Sequence, residues 1–274
     1  VPPVAVAGAL VADTGVSAGD KITSNGAVTV TGAEQGARVE YQIGTGAWTA
    51  VTGTGFTLPA GVHNVVNIRQ TDVAGNVGPI TNIGPITVDI TVPAAPVGTL
   101  VQDTGSSGSD KVTKNGAVTV TGGEPGAVVE YQIGTGAWTT VVGGTFTVPE
   151  GVHPVVNLRQ TDVAGNVSPV NNIGPITVDN VPPDAVTAAL VDDTGASESD
   201  KLTNDGTVQV DGAETGATVE YPIDGGAWTV APDGLFVLPE GLSTVVNVGQ
   251  TDLAGNVGPA TNIGPITVDT DEPL

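Results

Sequence analysis

An aspartate and an asparagine four residues apart recur three times in this chain, at a constant interval of 90 residues. The segment reads Gln-Thr-Asp-x-Ala-Gly-Asn-Val and begins at Gln70, Gln160 and Gln250. Carboxylate and amide oxygens on one turn are ligands for a hard cation such as Ca²⁺. The same two residue types also favour turns, because their side chains bond to the nearby backbone. The loop is therefore either half of a cation site or a solvated turn.

The other aspartates also keep fixed positions. The first two copies have four aspartates each, at equivalent places and nowhere else. A surface that was merely charged would scatter its acids along the outward strand positions, and these are mostly Thr, Asn and Gln here. The third copy keeps the four and adds further aspartates, among them those at 184, 192, 205, 211, 224 and 233. The equivalent positions are Asp13, Asp20, Asp72 and Asp89, then Asp103, Asp110, Asp162 and Asp179, then Asp193, Asp200, Asp252 and Asp269.

The composition limits the class of partner. The 274 residues include 29 acidic and 7 basic side chains, a formal charge of −22. Nucleic acid and anionic membranes need a basic face, so neither is an expected partner. No apolar run reaches the ~18 residues of a membrane span. The chain has no cysteine, which indicates either a cytosolic protein or an exported module with another stabiliser, with metal as the obvious one. It starts with Val1 and shows no signal peptide, and we expect it to be part of a longer chain.

Internal repetition divides the chain into three. The sequence Asn-Ile-Gly-Pro-Ile-Thr-Val-Asp ends at Asp89, Asp179 and Asp269, and a tryptophan recurs at Trp48, Trp138 and Trp228. Every interval is 90 residues, without insertion. Because a fixed period marks a repeated structural unit, we predict domains at residues 1–90, 91–180 and 181–274. The last of these includes the start of a following linker.

Apolar and polar residues alternate within each repeat, as at Val39, Tyr41 and Ile43. This period of two indicates half-buried strands, and turns rich in Gly, Pro and Asn separate them. About seven short strands in 90 residues predict an immunoglobulin-like β-sandwich. The predicted fold is all-β, with three tandem immunoglobulin-like β-sandwich domains arranged head-to-tail as a rod. Gln70 falls at an inward strand position and does not fit the pattern.

Chain direction assigns the acids to the two ends of each predicted sandwich. Asp13, Asp20 and Asp89 fall at the end where the last strand stops, which we call the trailing end. The 72–76 loop and the turn at Glu34 fall at the opposite, leading end. In a head-to-tail array the trailing end of one repeat meets the leading end of the next. Acids from two repeats are therefore expected to meet at each junction.

Five or six oxygens with three or more carboxylates predict Ca²⁺, completed by backbone carbonyls and water. Mg²⁺ prefers more water and a tighter octahedron, and Zn²⁺ or Cu²⁺ would need His or Cys. Whether the loop of Asp13 and Asp20 shares the junction ion or holds its own stays open. Asp72 and Asn76 lack a preceding repeat, so the first loop is expected to bind weakly. The predicted metal residues are Asp13, Asp20 and Asp89 with Glu124, Asp162 and Asn166; Asp103, Asp110 and Asp179 with Glu214, Asp252 and Asn256; and, as equivalents, Asp72, Asn76, Asp193, Asp200 and Asp269.

The combined motifs resemble a known family. Asp-Thr-Gly-x-Ser-x-x-Asp-Lys, Gly-Ala-x-Val-Glu-Tyr, Trp-Thr, Thr-Asp-x-Ala-Gly-Asn and Thr-Val-Asp are similar to bacterial Ig-like repeats of giant adhesins exported by type I secretion, including RTX and biofilm-associated (Bap-like) adhesins. The resemblance covers all three repeats. It implies extender modules that fold outside the cell in Ca²⁺ and hold a distal binding domain away from it, with attachment to the outer membrane through other parts of the parent protein. It also implies metal ligands at Asp89, Asp162, Asn166 and their equivalents.

Other functions find little support in the residues. His63 and His153 are the only histidines, and the third copy has Ser243 there, so no enzyme is expected. There is no phosphate loop and no nucleophile elbow. The alternative function is a repeat that itself binds a surface ligand such as a glycan, on its tryptophan. The expected partners are the neighbouring repeats of the same chain, in a monomeric rod.

Overall fold

The computed structural model describes residues 1–271 and is built from short β-strands. The predicted linker reaches residues 272–274, which lie outside the described residues. Each 90-residue period contains ten strands of two to six residues, and the described part of the third period adds one 3₁₀ turn at Pro232–Gly234. No helix in the described residues is long and apolar enough to cross a membrane. The predicted all-β class is confirmed.

The same strands recur in each period, and their bounds shift by about 90 residues. The first period has β1 (Ala7–Leu10), β2 (Ile22–Thr23), β3 (Ala27–Thr31), β4 (Arg38–Ile43), β5 (Thr49–Ala50), β6 (Gly55–Thr57), β7 (Gly61–His63), β8 (Val66–Thr71), β9 (Thr81–Asn82) and β10 (Ile86–Val88). The second has β11 (Val97–Leu100), β12 (Val112–Thr113), β13 (Ala117–Thr121), β14 (Val128–Ile133), β15 (Thr139–Thr140), β16 (Thr145–Thr147), β17 (Gly151–His153), β18 (Val156–Thr161), β19 (Asn171–Asn172) and β20 (Ile176–Val178). The third has β21 (Thr187–Leu190), β22 (Leu202–Thr203), β23 (Thr207–Asp211), β24 (Thr218–Tyr221), β25 (Thr229–Val230), β26 (Leu235–Val237), β27 (Gly241–Ser243), β28 (Asn247–Thr251), β29 (Thr261–Asn262) and β30 (Ile266–Val268).

Three sheets form in each period, with the same strand order. In the first period the orders are β1-β3-β6, β2-β10-β7 and β5-β4-β8-β9. All pairs are antiparallel except β2 with β10, which is parallel. The central β4–β8 pair runs in register from Arg38 opposite Thr71 to Ile43 opposite Val66. The two-residue strands β2, β5 and β9 are too short to show a period of two, so the alternation pattern predicted fewer strands.

By its contacts the chain forms two compact units. Unit 1 contains Val1–Gly98, Val120–Gly144 and Asn157–Ile173. Unit 2 contains Thr99–Thr119, Thr145–Val156 and the chain from Gly174 onward. The first period thus lies in unit 1 and the third in unit 2, while strands of the middle period are divided between them. The predicted three-domain boundaries and the rod-like arrangement stay predictions.

Aliphatic side chains fill the core of the first period and of the third. In unit 1 the core joins Val28 of β3 with Ile68 of β8 and Ile86 of β10, each 2% exposed or less. These strands come from different sheets, as a sandwich requires. In unit 2 the core contains the equivalent Val208, Val248 and Ile266. A stacked aromatic pair borders each core, with centroids 4.1 Å apart for Tyr41–Phe56 and 3.9 Å for Tyr221–Phe236.

The buried glutamine that did not fit the apolar pattern is satisfied by backbone. Gln70 is fully buried on β8. Its Nε2 donates to the carbonyl of Val4 at 2.8 Å, and its Oε1 accepts the N–H of Glu34 at 2.9 Å. Gln160 makes the same two bonds, to Ala94 and Glu124. Since buried polar groups need partners, this amide holds the segment before the first strand against the Glu34-type turn.

We expect Gln160→Leu to lower the free energy of unfolding of the middle repeat by about 2 kcal/mol. The leucine would leave the Glu124 N–H and the Ala94 carbonyl without their partner. Denaturation by urea would be followed by fluorescence in a background where Trp138 is the single tryptophan. Gln132→Leu is the control, because the half-buried Gln132 donates to the carbonyl of Gly136 at an exposed position and accepts the Asn157 amide at a partly buried one, so water can reach the groups that it leaves. Equal losses in both variants would contradict a structural role for the buried amide.

Candidate functional site

The aspartate and asparagine of the repeated loop bond to each other and to the loop backbone. Asp162 Oδ1 accepts the N–H groups of Ala164 at 2.9 Å and Asn166 at 2.8 Å. Asn166 Nδ2 donates to Asp162 Oδ2 at 2.8 Å, and the Asp162 N–H donates to the Asn166 carbonyl at 3.0 Å. The loops of Asp72 and Asp252 contain the same Asp–Asn bonds. The pair therefore sets the loop's shape in all three copies.

In the first copy these hydrogen bonds lower the pKa of Asp72. Asn76 donates its side-chain amide and then its backbone N–H to Asp72, and the Ala74 N–H adds a weaker contribution. Hydrogen bonds to the carboxylate favour its charged form. They hold the pKa of Asp72 below its ordinary value of 3.8. The charged form is thus the form that shapes the loop.

In the second copy the loop rests on the end of the preceding repeat, inside unit 1. The carbonyl of Ala164 accepts Thr14 Oγ1 at 2.5 Å and the N–H of Ser24 at 3.0 Å. Asn166 Nδ2 also donates to the carbonyl of Asp89 at 2.8 Å. The loop's backbone and its asparagine thus bind the trailing end of the first repeat.

The third copy repeats this contact inside unit 2. Thr104 Oγ1 donates to the carbonyl of Ala254 at 2.5 Å, and Asn256 Nδ2 donates to that of Asp179 at 2.8 Å. Lys114 stands where the first repeat has Ser24, and its Nζ donates to the carbonyl of Gly255 at 2.7 Å. Two junctions in one chain are therefore built from equivalent atoms.

A glycine allows the two backbones to approach. Gly15 has φ +102°, and a Cβ there would overlap the carbonyl of Val163. Gly105 has φ +99° and faces Leu253 in the same way. Both conditions favour glycine, because a side chain would meet backbone and would also strain the left-handed conformation. Gly165 approaches from the other side, where a Cβ would lie 2.8 Å from the Gly15 N.

The first copy of the loop shows the same surface without a neighbour. Ala164 is 0% exposed and Ala254 1%, whereas the equivalent Ala74 is exposed. Val73 is 83% exposed, and a Cβ on Gly75 would meet nothing within 4 Å. Burial of the loop therefore follows from the docked repeat and not from the loop's own fold.

The remaining predicted metal residues mostly bond within their own segments. Asp13 Oδ2 accepts the N–H of Lys21 at 3.0 Å, and Asp20 Oδ1 accepts that of Ile22 at 3.0 Å. Asp89 Oδ1 accepts the N–H of Thr91 at 2.9 Å. Their later copies behave alike: Asp103, Asp110, Asp179, Asp193, Asp200 and Asp269 each accept a nearby backbone N–H. Glu124 and Glu214 donate their backbone N–H to the buried glutamines Gln160 and Gln250.

One oxygen in each copy differs from this pattern. Oδ1 of Asp13, Asp103 and Asp193 is buried and accepts no hydrogen bond from the protein. A buried oxygen without a hydrogen-bond partner lowers the stability of the fold. Because these aspartates occupy equivalent positions, the same unpaired acceptor recurs in all three copies. Each side chain is itself partly exposed, which leaves water able to reach the neighbourhood.

In residues 1–271 one group of three acidic side chains has oxygens within 4.8 Å of one another. It consists of Glu240, Asp269 and Asp271, all exposed, and it could hold a metal ion. Glu240 Oε2 accepts both the N–H and the Oγ1 of Thr270, at 3.0 and 2.5 Å. Asp269 was predicted from sequence, and the other two were not. Positions 240 and 271 are both acidic only in the third copy, because Thr91 and Val181 stand at the positions equivalent to Asp271 in the first two copies. This difference between the copies was the signal in the sequence that could have identified the group.

The acids expected to gather at the junctions do not form such a group in the described residues. At the first junction the Asn166 amide nitrogen lies between the Asp89 carbonyl and Asp162 Oδ2, at 2.8 Å from each. An N–H donor thus satisfies two of the oxygens that a cation would take. The assignment of these residues as Ca²⁺ ligands stays a prediction.

The histidines have structural partners. Nε2 of His63 lies 2.8 Å from the carbonyl of Pro59, and that of His153 lies 2.8 Å from Pro149. Ser243, the third-copy equivalent, is buried at 2% exposure. The absence of enzyme activity stays a prediction.

Comparisons with known proteins leave the family of this chain open. No family model matches it, and no curated protein matches it. One solved structure, described as "Structural insight into host cell surface retention of a 1.5-MDa bacterial ice-binding adhesin", has 20% identity and a TM-score of 0.32, covering 98% of this chain and 99% of that one. Another, "Cytokine receptor complex - Crystal form 2", has 21% identity and a TM-score of 0.27, covering 54% and 95%. Scores this low define no family.

We expect Gly15→Ala to loosen the first junction while the repeats stay folded. The added Cβ would overlap the Val163 carbonyl and push the loop away. The Ser24 N–H should then lose its bond to Ala164, and its second acceptor, Thr14 Oγ1 at 2.8 Å, should lose the Ala164 carbonyl that holds it in place. Amide hydrogen exchange at Ser24 should become about tenfold faster or more.

Gly195→Ala is the matched control for this change. Gly195 has the same conformation, φ +103°, but no neighbouring backbone within 3.5 Å of its added Cβ. It reports the cost of left-handed strain without a junction. Unchanged exchange at Ser24 in Gly15→Ala would contradict the proposed contact.

We expect Asn76→Ala to raise the pKa of Asp72 towards its ordinary value, because the largest of the hydrogen bonds that lower it is removed. A group with a lowered folded pKa stabilises the fold above its unfolded pKa, and this stabilisation is lost as pH falls through the folded pKa. The loop of the wild-type chain should therefore lose order only at acid pH, below the unfolded pKa of Asp72. Carboxyl ¹³C titration by NMR measures the pKa, and an unchanged value in the variant would refute the assigned cause.

Proposed function

We propose that this chain is a structural extender, or stalk, segment of a large bacterial cell-surface adhesin. The observation that carries the proposal is the junction built twice from equivalent atoms, with Thr14 to Ala164 and Thr104 to Ala254 each 150 residues apart in sequence. In tandem-repeat proteins each repeat contacts its neighbours, and stability is a sum over repeats and interfaces. A chain with this organisation is suited to span distance. Its partners are then the neighbouring repeats, in a monomeric rod.

The adhesin part of the proposal rests on the sequence motifs that resemble bacterial Ig-like repeats. They imply a secreted, extracellular protein that takes part in adhesion or biofilm formation and projects a distal binding domain. The strong negative charge of the chain favours divalent cations, which could stabilise an exported module that has no cysteine. Attachment to the outer membrane would involve other parts of the parent protein.

The calcium part of the proposal rests on the resemblance and on the repeated acids. Asp89, Asp162 and Asn166 would hold the ion at the first junction, with Asp179, Asp252 and Asn256 at the second. These residues supply the hard oxygen ligands that Ca²⁺ prefers. When bound, the cation would neutralise carboxylates there and join the two repeats. Asn166 would then need to present its amide oxygen, because its amide nitrogen faces the Asp89 carbonyl in the present arrangement.

The alternative, a repeat that binds a surface ligand, concerns mainly the third copy. Trp48 and Trp138 are covered by arginine side chains, with Cζ of Arg69 and Arg159 at 4.0 and 4.1 Å from the ring centroids. Trp228 is 50% exposed. A glycan would find one open aromatic face in the described residues rather than three.

Small-angle scattering with Ca²⁺ and then with excess EGTA tests the calcium part. We expect removal of Ca²⁺ to lower the melting temperature and to change the maximum dimension, because an ion bound only by the folded array stabilises it by mass action. Asn166→Ala with Asn256→Ala should abolish this response, and Asn76→Ala, at the unpaired loop, should preserve it.

The two parts of the proposal can fail separately. If neither the maximum dimension nor the melting temperature responds to EGTA, calcium rigidification is wrong. The stalk would then stand on the hydrogen-bonded junction, which the Gly15→Ala comparison tests without any metal.

A further inference from the structure

The outer face of the β5-β4-β8-β9 sheet holds a stacked arginine. Cζ of Arg69 lies 4.0 Å above the centroid of Trp48. Its Nε and Nη2 donate to Glu40 Oε2 at 3.1 and 3.0 Å. Glu40 is 6% exposed, and Arg38 adds a second ion pair at 2.8 Å. A tryptophan face and a carboxylate therefore form a guanidinium site, which an arginine of the same repeat occupies.

The second copy keeps this guanidinium site and the arginine that occupies it. Cζ of Arg159 lies 4.1 Å from the centroid of Trp138, and its Nε donates to Glu130 Oε2 at 2.9 Å. Val128 replaces the second arginine. Stacking on an aromatic face combined with a charge-assisted hydrogen bond is the interaction that arginine makes better than lysine.

The third copy keeps the tryptophan and the glutamate and lacks the arginine. Trp228 and Glu220 stand at the equivalent positions, and glycine replaces the arginine at 249. Glu220 pairs directly with Gly249 across strands β24 and β28. Glu220 forms no ion pair among the described residues. The negative charge of Glu220 is therefore not balanced by an arginine in this repeat.

The tryptophan of this copy packs against the strand position that holds the arginine in the other two copies, and half of it is open to solvent. A Cβ built on Gly249 would lie 3.3 Å from Trp228 Cζ3, so the ring lies against the Gly249 backbone. Trp228 is nevertheless 50% exposed. One part of the ring thus rests on Gly249 of β28, the residue that Glu220 opposes across the strands, and the rest is accessible.

The charge of the third repeat favours a cationic ligand. Residues 181–274 contain sixteen acidic side chains and one basic side chain, Lys201, for a formal charge of −15 out of the chain's −22. The first two repeats carry −3 and −4. A field of one sign raises the local concentration and association rate of oppositely charged ligands. The repeat that lost its own arginine is thus the one that most strongly attracts another.

We propose that Trp228 and Glu220 form a binding site for the guanidinium group of an arginine side chain of a partner protein. The chain's own Arg69 and Arg159 show the bound geometry: the guanidinium stacks on the tryptophan and donates to the glutamate. The site takes arginine in preference to lysine, because an ammonium group cannot stack as a planar fork. This inference does not depend on the stalk function.

The test is an NMR titration of the full chain with N-acetyl-arginine amide, observed at the indole N–H of each tryptophan. We expect the Trp228 resonance to shift with half-saturation at roughly millimolar concentration, as for a single small contact. Trp48 and Trp138 should not respond. Gly249→Arg should abolish the response, because the added arginine would occupy the guanidinium site as Arg69 and Arg159 do in the other repeats.

Arg159→Gly is the reciprocal variant. It should make the Trp138 resonance respond to the same probe, since it leaves Glu130 and Trp138 without their arginine. N-acetyl-lysine amide should bind at least threefold more weakly than the arginine probe to wild-type protein.

Three results would overturn the proposal. They are no shift at Trp228, a shift that Gly249→Arg leaves unchanged, and equal binding of the lysine and arginine probes. Binding of a neutral oligosaccharide at Trp228 without binding of the arginine probe would assign the ring to a glycan instead.

Discussion

A backbone carbonyl that must be satisfied organises each junction. The Asp–Asn bonds close the loop, and Ala164 is fully buried where the preceding repeat docks on it. Buried carbonyls require donors, and Thr14 and Ser24 of the preceding repeat provide them. The glycines on either side follow from this requirement, because donors and acceptor meet only if two backbones approach closely.

The sequence predicted the strand framework and the place of the junction because both depend on simple periodicities. Alternation identified β4 and β8, and chain direction assigned the 162–166 loop to the end that meets the previous repeat. The contact between Asn166 and Asp89 is the pair expected, although it joins an amide to a backbone carbonyl. The roles of the acids could not be predicted, because an aspartate that accepts a backbone N–H two residues on has the same local sequence as a metal ligand.

The hydrogen bonds of the buried amide and the two-residue strands could not be predicted from the sequence for a similar reason. Nothing near Gln70 indicates that its amide bonds to Val4, 66 residues away. Such a bond depends on tertiary structure, and a period of two carries no information about it. Glu240 and Asp271 were missed because they have no counterpart pair in the earlier repeats, whereas a repeat-based search favours what recurs.

The third repeat combines a preserved interior with an altered surface. Val248 and Ile266 keep the core positions of Ile68 and Ile86, and its leading loop keeps every junction atom described above. Changes at these places keep an aliphatic side chain, as at Val248 and Leu253. The changes of chemical type fall at the outer sheet face and in the added acids. The core and the junction therefore constrain the residues that recur, while the outer face is free to differ from one repeat to the next.

The junction uses two different surfaces, one at each end of a repeat. A contact of this heterologous kind is not self-complementary, because each surface needs the other kind as its partner. A repeat inserted between two others would present both required surfaces and would need no compensating substitution in its neighbours. Duplication or loss of a whole 90-residue segment within the gene would thus leave every remaining contact chemically complete. The length of such an array can change in single genetic events without passing through an unstable intermediate protein.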